Sequence, residues 1–324
     1  MGERVFDKVR DSDWLKRSPI FVFAADALAA GGIQSLGQVR YPTPHYRTRS
    51  EFLQLLREIT ADGYIDGLLM TPADAEVLAL EERLFDHSPV TPIVRMNAET
   101  GIWNPRHGVY RQQYSAPFQT VPLTPEQHCE NLICVARECY IRLGLYSITL
   151  NNDVEADERT LNAYLEFARQ VGEIPGFDHI LEVFLPNINL PGMDREARGE
   201  YAADSIVRTM SYLRKHQRPL FIKTEYTTER IWRELTSFDP TLIIGALGGP
   251  RESPRRTLEL AYNVTEHGGH VILFGRTVFT EENPRLIARA LRQVLDREKT
   301  VDEALTEYEA GLEEERAQMR PRRW

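Results

Sequence analysis

Lysine is scarce in this sequence. Of 39 basic residues in 324 positions only five are lysine: Lys8, Lys16, Lys215, Lys223 and Lys299. Cysteine is scarce as well. Cys129, Cys134 and Cys139 are odd in number, match no zinc spacing and fall in one predicted helix, which argues for reduced thiols rather than a disulfide framework. Positive charge is in deficit: a net charge of −9 and a pI near 5.5 argue against a nucleic-acid partner. No apolar run approaches the roughly 20 residues that cross a bilayer. The opening MGERVFDKVRDSDWLKR lacks the apolar core of a signal peptide. These absences point to a cytoplasmic protein that touches neither membrane nor nucleic acid.

What is present is alternation. Short apolar runs at 19–26, 66–71, 92–97, 146–152, 179–185, 219–225, 241–247 and 270–276 read as eight strands. Between and after them lie amphipathic patterns at 50–61, 124–142, 157–171, 200–216, 228–237, 254–267, 283–296 and 301–316. Eight strands separated by helices predict a parallel sheet with crossover helices, closed as a (β/α)8 TIM barrel with an extra C-terminal helix. With no Gly/Ser linker, low-complexity segment or fixed repeat, residues 1–324 read as a single domain. Its barrel core spans about 18–296 and a helical extension about 300–324. The segment 98–123, rich in aromatic and polar residues, is too long for an ordinary βα turn. It reads either as a lid or substrate-reading loop, or as a packed surface excursion or oligomer contact.

RPLFIKTEYTT, residues 218–228, sets a lysine inside a strand. Burying an ammonium costs several kcal/mol, of order 5, unless it is paired or neutralised. Lysine, unlike arginine, gives up its proton when buried and then becomes a nucleophile. Strand alternation puts Phe221, Lys223 and Glu225 on one face. Glu182 interrupts the apolar run HILEVFL, and Asp26 ends FVFAAD. Three ionisable groups thus stand near the C-terminal ends of strands one, five and six, where barrel enzymes keep their sites. The set suits imine chemistry, the amine attacking a carbonyl while the acids shuttle protons. It equally suits a buried Lys–Glu–Asp network that only fixes packing.

The last third adds an anion site. Gly248 and Gly249 follow strand seven, and Gly275 and Arg276 end strand eight. Glycine lets backbone N–H groups approach a ligand, and these two loops often hold phosphate in such barrels. The eight histidines are scattered: His267 and His270 flank a Gly-Gly turn without a third ligand, and His179 and His216 read as surface or strand-edge residues. No metal site is read from the sequence. EYEAGLEEERAQ reads as a solvated helix face and RPRRW as a frayed tail or interface contact.

The order Asp26, Glu182, Lys223 in IKTEY, GGPRES and LFGRTVF resembles the class I, Schiff-base aldolases of the DeoC, fructose-bisphosphate aldolase and tagatose-bisphosphate aldolase superfamily. The likeness is nearest to its tagatose-bisphosphate and sulfofructosephosphate branch, spans about residues 18–296, and extends to ETGIW and SITLNNDVEADE. It implies a metal- and cofactor-independent aldolase acting on a phosphorylated sugar, usually as a homo-oligomer. By the same resemblance Lys223 forms the imine, Glu182 is the acid/base and Asp26 assists at the carbinolamine. Gly248, Gly249, Gly275 and Arg276 hold the phosphate of dihydroxyacetone phosphate, and Glu225 and Asn151 complete the substrate contacts. The chain departs from the pattern at Ser147, where that branch has lysine, and at Leu185, where the fructose-bisphosphate branch has tyrosine. It departs again at ALAAGG after strand one, where the family has polar residues. A related lyase or transferase with another donor, with loops 98–123 and 186–199 selecting donor and acceptor, and a silent phosphosugar-binding barrel are the competing classes.

Overall fold

A computed structural model describes residues 2–25, 32–40, 43–99, 105–123, 134–135, 138–249 and 251–319. Eight parallel strands close a barrel: β1 (Ile20–Ala25), β2 (Gly67–Met70), β3 (Thr91–Arg95), β4 (Leu143–Thr149), β5 (Asp178–Phe184), β6 (Phe221–Thr224), β7 (Ile244–Leu247) and β8 (Val271–Phe274). Each strand pairs with its neighbours in sequence and β1 pairs with β8. All eight lie within the runs anticipated from sequence or overlap them by most of their length. The reason is that a barrel strand is buried on both faces and reads as continuous apolar sequence.

Alternation along the strands separates two cores. Val22, Leu69, Ile93, Leu145, Ile180, Phe221 and Leu273 pack together in the lumen. Phe21, Phe23, Leu68, Val94, Leu181, Ile222 and Phe274 pack outward against the helices. Register then fixes the chemistry: Ser147 pairs with Glu182, Glu182 with Lys223 and Lys223 with Gly245. Since Leu145, Ile180 and Phe221 face the lumen, the residues two positions on, Ser147, Glu182 and Lys223, face it too, nearer the C-terminal mouth.

The helices start at recognisable caps. Thr48 and Glu51 form a capping box for the helix Arg49–Asp62. Asp153, Asp194, Thr228, Ser253 and Asn283 cap Val154–Gly172, Arg195–Ser211, Glu229–Phe238, Pro254–Glu266 and Pro284–Leu295. The C-terminal helix Val301–Met319 is present and packs on the two helices that follow β7 and β8.

Local features differ from the sequence expectation. Helices Arg4–Arg10 and Ser12–Arg17 precede the barrel and close its bottom, Val5, Phe6 and Leu15 joining the lumenal core. Their few apolar positions among charges gave no readable period. In the stretch expected as a helix over 124–142, Cys134–Val135 pairs antiparallel with Glu138–Cys139, and the rest up to 139 lies outside the described residues. After β3 the chain continues as Asn97–Glu99, paired antiparallel with Pro117–Gln119.

Candidate active site

At the C-terminal mouth the lumen opens into a cavity of about 740 Å³. Lys223 and Glu182 line its floor, and Nζ of Lys223 lies 2.5 Å from Oε1 of Glu182. The other oxygen of Glu182 accepts from Ser147 Oγ at 2.5 Å and from Arg95 Nη2 at 3.3 Å. Arg95 Nη1 also donates to Ser147 Oγ at 2.8 Å. Burial pushes the Glu182 carboxyl up. The charges of Lys223 and Arg95, with hydrogen bonds from Lys223 and Ser147, outweigh that and hold it below the ordinary carboxylate range. Glu182 is therefore a carboxylate, fully buried, in contact with one ammonium and one guanidinium.

The anion turns of the sequence reading line the same cavity: Gly248, Gly249, Gly275 and Arg276. Gly249 holds φ +69°, a left-handed conformation that favours glycine. At Gly275 a Cβ would run into the carbonyl oxygen of Ala24, so β8 can approach β1 only without a side chain. Arg276 is mostly buried, has no ion pair among the described residues, and is pulled below the usual guanidinium range by burial, against the opposing charges of Tyr110 and Glu182. Glu225 is at the rim, paired with Arg195 at 3.2 Å; burial raises its carboxyl, and Arg195 opposes the rise.

Two predicted residues stand apart. Asn151 is buried and does not line the cavity; its Oδ1 accepts from the Asn187 backbone N–H at 3.1 Å. Asn187 in turn donates to the Tyr110 and Gln113 carbonyls at 2.5 and 2.8 Å, so Asn151 acts by fastening two loops over the mouth. Asp26 lies outside the described residues. Loops 98–123 and 186–199 do reach the cavity, through Tyr110 and Arg111 and through Asn187, Asn189, Arg195 and Arg198.

Sequence reasoning missed Arg95, Ser147 as a partner, and Glu99. The signal for Arg95 was legible: PIVRMN places a charge inside an apolar run, as HILEVFL does for Glu182. Glu99, just beyond β3, is fully buried; Thr149 Oγ1 donates to its Oε2 at 2.9 Å, while its Oε1 has no hydrogen-bond partner among the described residues. Burial carries its carboxyl up to about 7 against hydrogen bonds from Ser115 and Thr149. His179 corrects the sequence reading, being buried beneath Tyr164 and Phe167 rather than at an edge. Among the described residues no three His, Cys, Asp or Glu side chains gather as a metal-holding group, and no helix is long and apolar enough to cross a membrane. A second cleft of about 600 Å³ lies outside the barrel, beside the helix Arg49–Asp62. Its Arg57, Arg285 and Arg316 are already paired with Glu82, Asp62 and Glu282.

No protein-family model matches the sequence, and no curated protein matches it. Solved structures share the fold. A fructose-bisphosphate aldolase from Slackia heliotrinireducens superposes with a TM-score of 0.65 at 13% identity, covering 95% of this chain and 93% of that one. An archaeal fructose-1,6-bisphosphate aldolase, with its catalytic Lys covalently bound to the carbinolamine intermediate, superposes with a TM-score of 0.60 at 17% identity. The match covers 91% of this chain and all of that one. A Schiff-base-forming fructose-1,6-bisphosphate aldolase gives 0.59 at 17% identity, over 90% and 100% of the two chains. At such identities the likeness establishes the (β/α)8 barrel; activity must be argued from the site.

Proposed function

We propose that the chain is a metal-independent class I aldolase that cleaves or forms a carbon–carbon bond of a phosphorylated ketose through an imine on Lys223. The observation that carries this is the Lys223–Glu182 pair, Nζ to Oε1 at 2.5 Å, on the floor of an open cavity. The lining supports an anionic substrate. Six basic side chains (Arg95, Arg111, Arg195, Arg198, Lys223, Arg276) face three acidic ones (Glu182, Asp194, Glu225) in a protein whose net charge is −9.

The steps balance on these groups. Glu182 accepts a proton from the Lys223 ammonium, and the freed amine adds to the ketose carbonyl, a proton passing from the adduct nitrogen to its alkoxide oxygen to give the neutral carbinolamine. Glu182 returns the proton to the carbinolamine hydroxyl, which leaves as water and gives the iminium. The iminium draws the C3–C4 electron pair as that bond breaks, Glu182 takes the C4 hydroxyl proton, and an enamine remains. The backbone at Gly248, Gly249 and Gly275, with the Arg276 side chain, would hold a dihydroxyacetone-phosphate-type donor. Asp26, at the end of the first strand in sequence, takes the assisting role that the resemblance gives it. The tagatose-bisphosphate and sulfofructosephosphate branch, a cytoplasmic location and a homo-oligomer belong to the same proposal; light scattering on the purified chain tests the last.

A silent phosphosugar-binding barrel is the second reading, and the Lys223–Glu182 ion pair is the contact it requires as well. Borohydride separates the two. Reduction in the presence of dihydroxyacetone phosphate should leave a stable adduct on Lys223, mapped by peptide mass and absent in Lys223→Met. A negative result repeated with pyruvate and dihydroxyacetone would remove the catalytic assignment and leave the barrel.

A further inference from the structure

Glu182 has two oxygens, and the structure divides them between different partners. Among the described residues Oε1 meets only Lys223, on the cavity side, at 2.5 Å. Oε2 is held by the Ser147 hydroxyl at 2.5 Å and by Arg95 at 3.3 Å, and those two side chains are themselves joined at 2.8 Å. We propose that Arg95 and Ser147 are positioning residues: from β3 and β4 they lock one oxygen of Glu182, so that the other alone exchanges protons with Lys223 and the substrate.

The lock is rigid for identifiable reasons. Arg95, Ser147 and Glu182 are all essentially inaccessible to solvent. Ladder pairing of β3 with β4 stops at the Arg95–Leu145 pair. The buried side chain of Asn97 continues it, accepting from the Ser147 N–H at 2.7 Å and donating to the Ser147 carbonyl at 2.8 Å. Ser147 is thus fixed at both backbone groups, and its hydroxyl donates along the row to Glu182. Arginine suits the far end, because its planar fork spans Ser147 and Glu182 together, which a lysine ammonium cannot do with the same geometry.

The charge count gives the lock a chemical consequence. Among the described residues, the charged and titratable groups facing Glu182 are Lys223 from β6, Arg95 from β3, Arg276 after β8, and the buried Glu99 beyond β3. Taking up the Lys223 proton leaves that amine neutral, and the Arg95 guanidinium that still touches the carboxyl favours return of the proton to a departing hydroxyl. Without Arg95 the same carboxyl would keep the proton.

This meaning rests on the aldolase reading, but its test does not. The titration of Glu182 is followed by the δ-carbon signal of 13C-labelled glutamate, recognised as the one missing from Glu182→Gln. Arg95→Met and Ser147→Ala should each raise the proton affinity of Glu182, by at least about tenfold for Arg95→Met. Arg95→Lys should restore part of the difference. The acid limb of the kcat/KM profile should move in the same direction, which a merely structural role would not require. If Arg95→Met does not fold, Ser147→Ala carries the test, since it removes one hydroxyl and no charge. An unchanged Glu182 midpoint in the folded variants overturns the proposal. If the wild-type protein traps no donor, the aldolase reading falls, and the midpoint still decides whether Arg95 and Ser147 set the state of Glu182.

Discussion

Lys223 and Glu182 touch on the lumenal face of adjacent strands, and the carboxylate also touches Arg95, so one anion serves two buried cations. Removing the two partners of the ion pair should therefore have unequal consequences. Lys223→Met leaves Glu182 with Arg95 and Ser147, a satisfied pair, and should change stability by less than about 1 kcal/mol. Glu182→Gln removes the carboxylate that Lys223 and Arg95 both touch and should cost about 3–5 kcal/mol. Urea unfolding of both variants measures this; equal losses would mean that Arg95 does not share the carboxylate.

Arg276 is a half-buried guanidinium with no ion pair among the described residues, beside the glycine turns that line the cavity. If the anion of the substrate supplies the missing partner, Arg276→Ala should raise KM for a phosphorylated ketose about ten- to a hundredfold. The unphosphorylated ketose should be unaffected. Steady-state kinetics on the matched pair reads the difference, and an equal rise for both would place Arg276 outside the phosphate site.

The barrel was legible because its strands are buried on both faces, and runs such as HILEVFL and VILFGR announce themselves whatever the helices do. The site was legible where a charge broke such a run, as at Glu182 and Lys223. Arg95 carried the same signal in PIVRMN and was passed over, since arginine is abundant in this chain and lysine is not. Lys8 shows the limit of that argument. It is one of the five lysines and as buried as Lys223, yet it sits at the opposite end of the barrel, pulled down to about 8 by burial against the attraction of Asp66. What distinguishes Lys223 is the cavity above it, a property of loops whose packing no strand pattern encodes. Ser147 read as a departure from the resembling family, and only the register with Glu182 reveals that it bridges two charged groups.

His179 lies under Tyr164, whose hydroxyl is 3.0 Å from Nε2, and its Nδ1 has no hydrogen-bond partner among the described residues. Burial pulls the imidazole down to about 3 from an ordinary 6.5. Between those values the unfolded chain binds a proton that the folded chain refuses. Stability from this group is therefore complete above about pH 6.5 and is lost as pH falls, by at most about 1.4 kcal/mol per pH unit. His179→Phe should flatten that acid slope, although at pH 7 it leaves the Tyr164 hydroxyl unpartnered at a cost of about 1–3 kcal/mol. Urea midpoints at pH 7, 5 and 4 settle the matter, and parallel slopes for the two proteins would count against a neutral His179.

At the bottom of the barrel Asp66 is the counterpart of Glu182. It accepts from Lys8 and from Arg292 at 3.0 Å each, and from the Phe21 N–H at 2.8 Å, tying the N-terminal helix and the helix Pro284–Leu295 to β1. Asp66→Asn removes the carboxylate that Lys8 and Arg292 share, Arg292 keeping Asp296 at 2.9 Å, so it should destabilise the fold by about 3–5 kcal/mol, chiefly through Lys8. The mouth lies at the other end of the strands, and none of Lys8, Phe21, Asp66 and Arg292 lines the cavity above Lys223. Borohydride adduct per folded molecule should therefore stay at the wild-type level in Asp66→Asn, although its unfolding midpoint drops. A fall in adduct yield larger than the fall in folded fraction would show that the two ends of the barrel are coupled. In that case the bottom ion cluster would have to be counted as part of the machinery that positions Lys223.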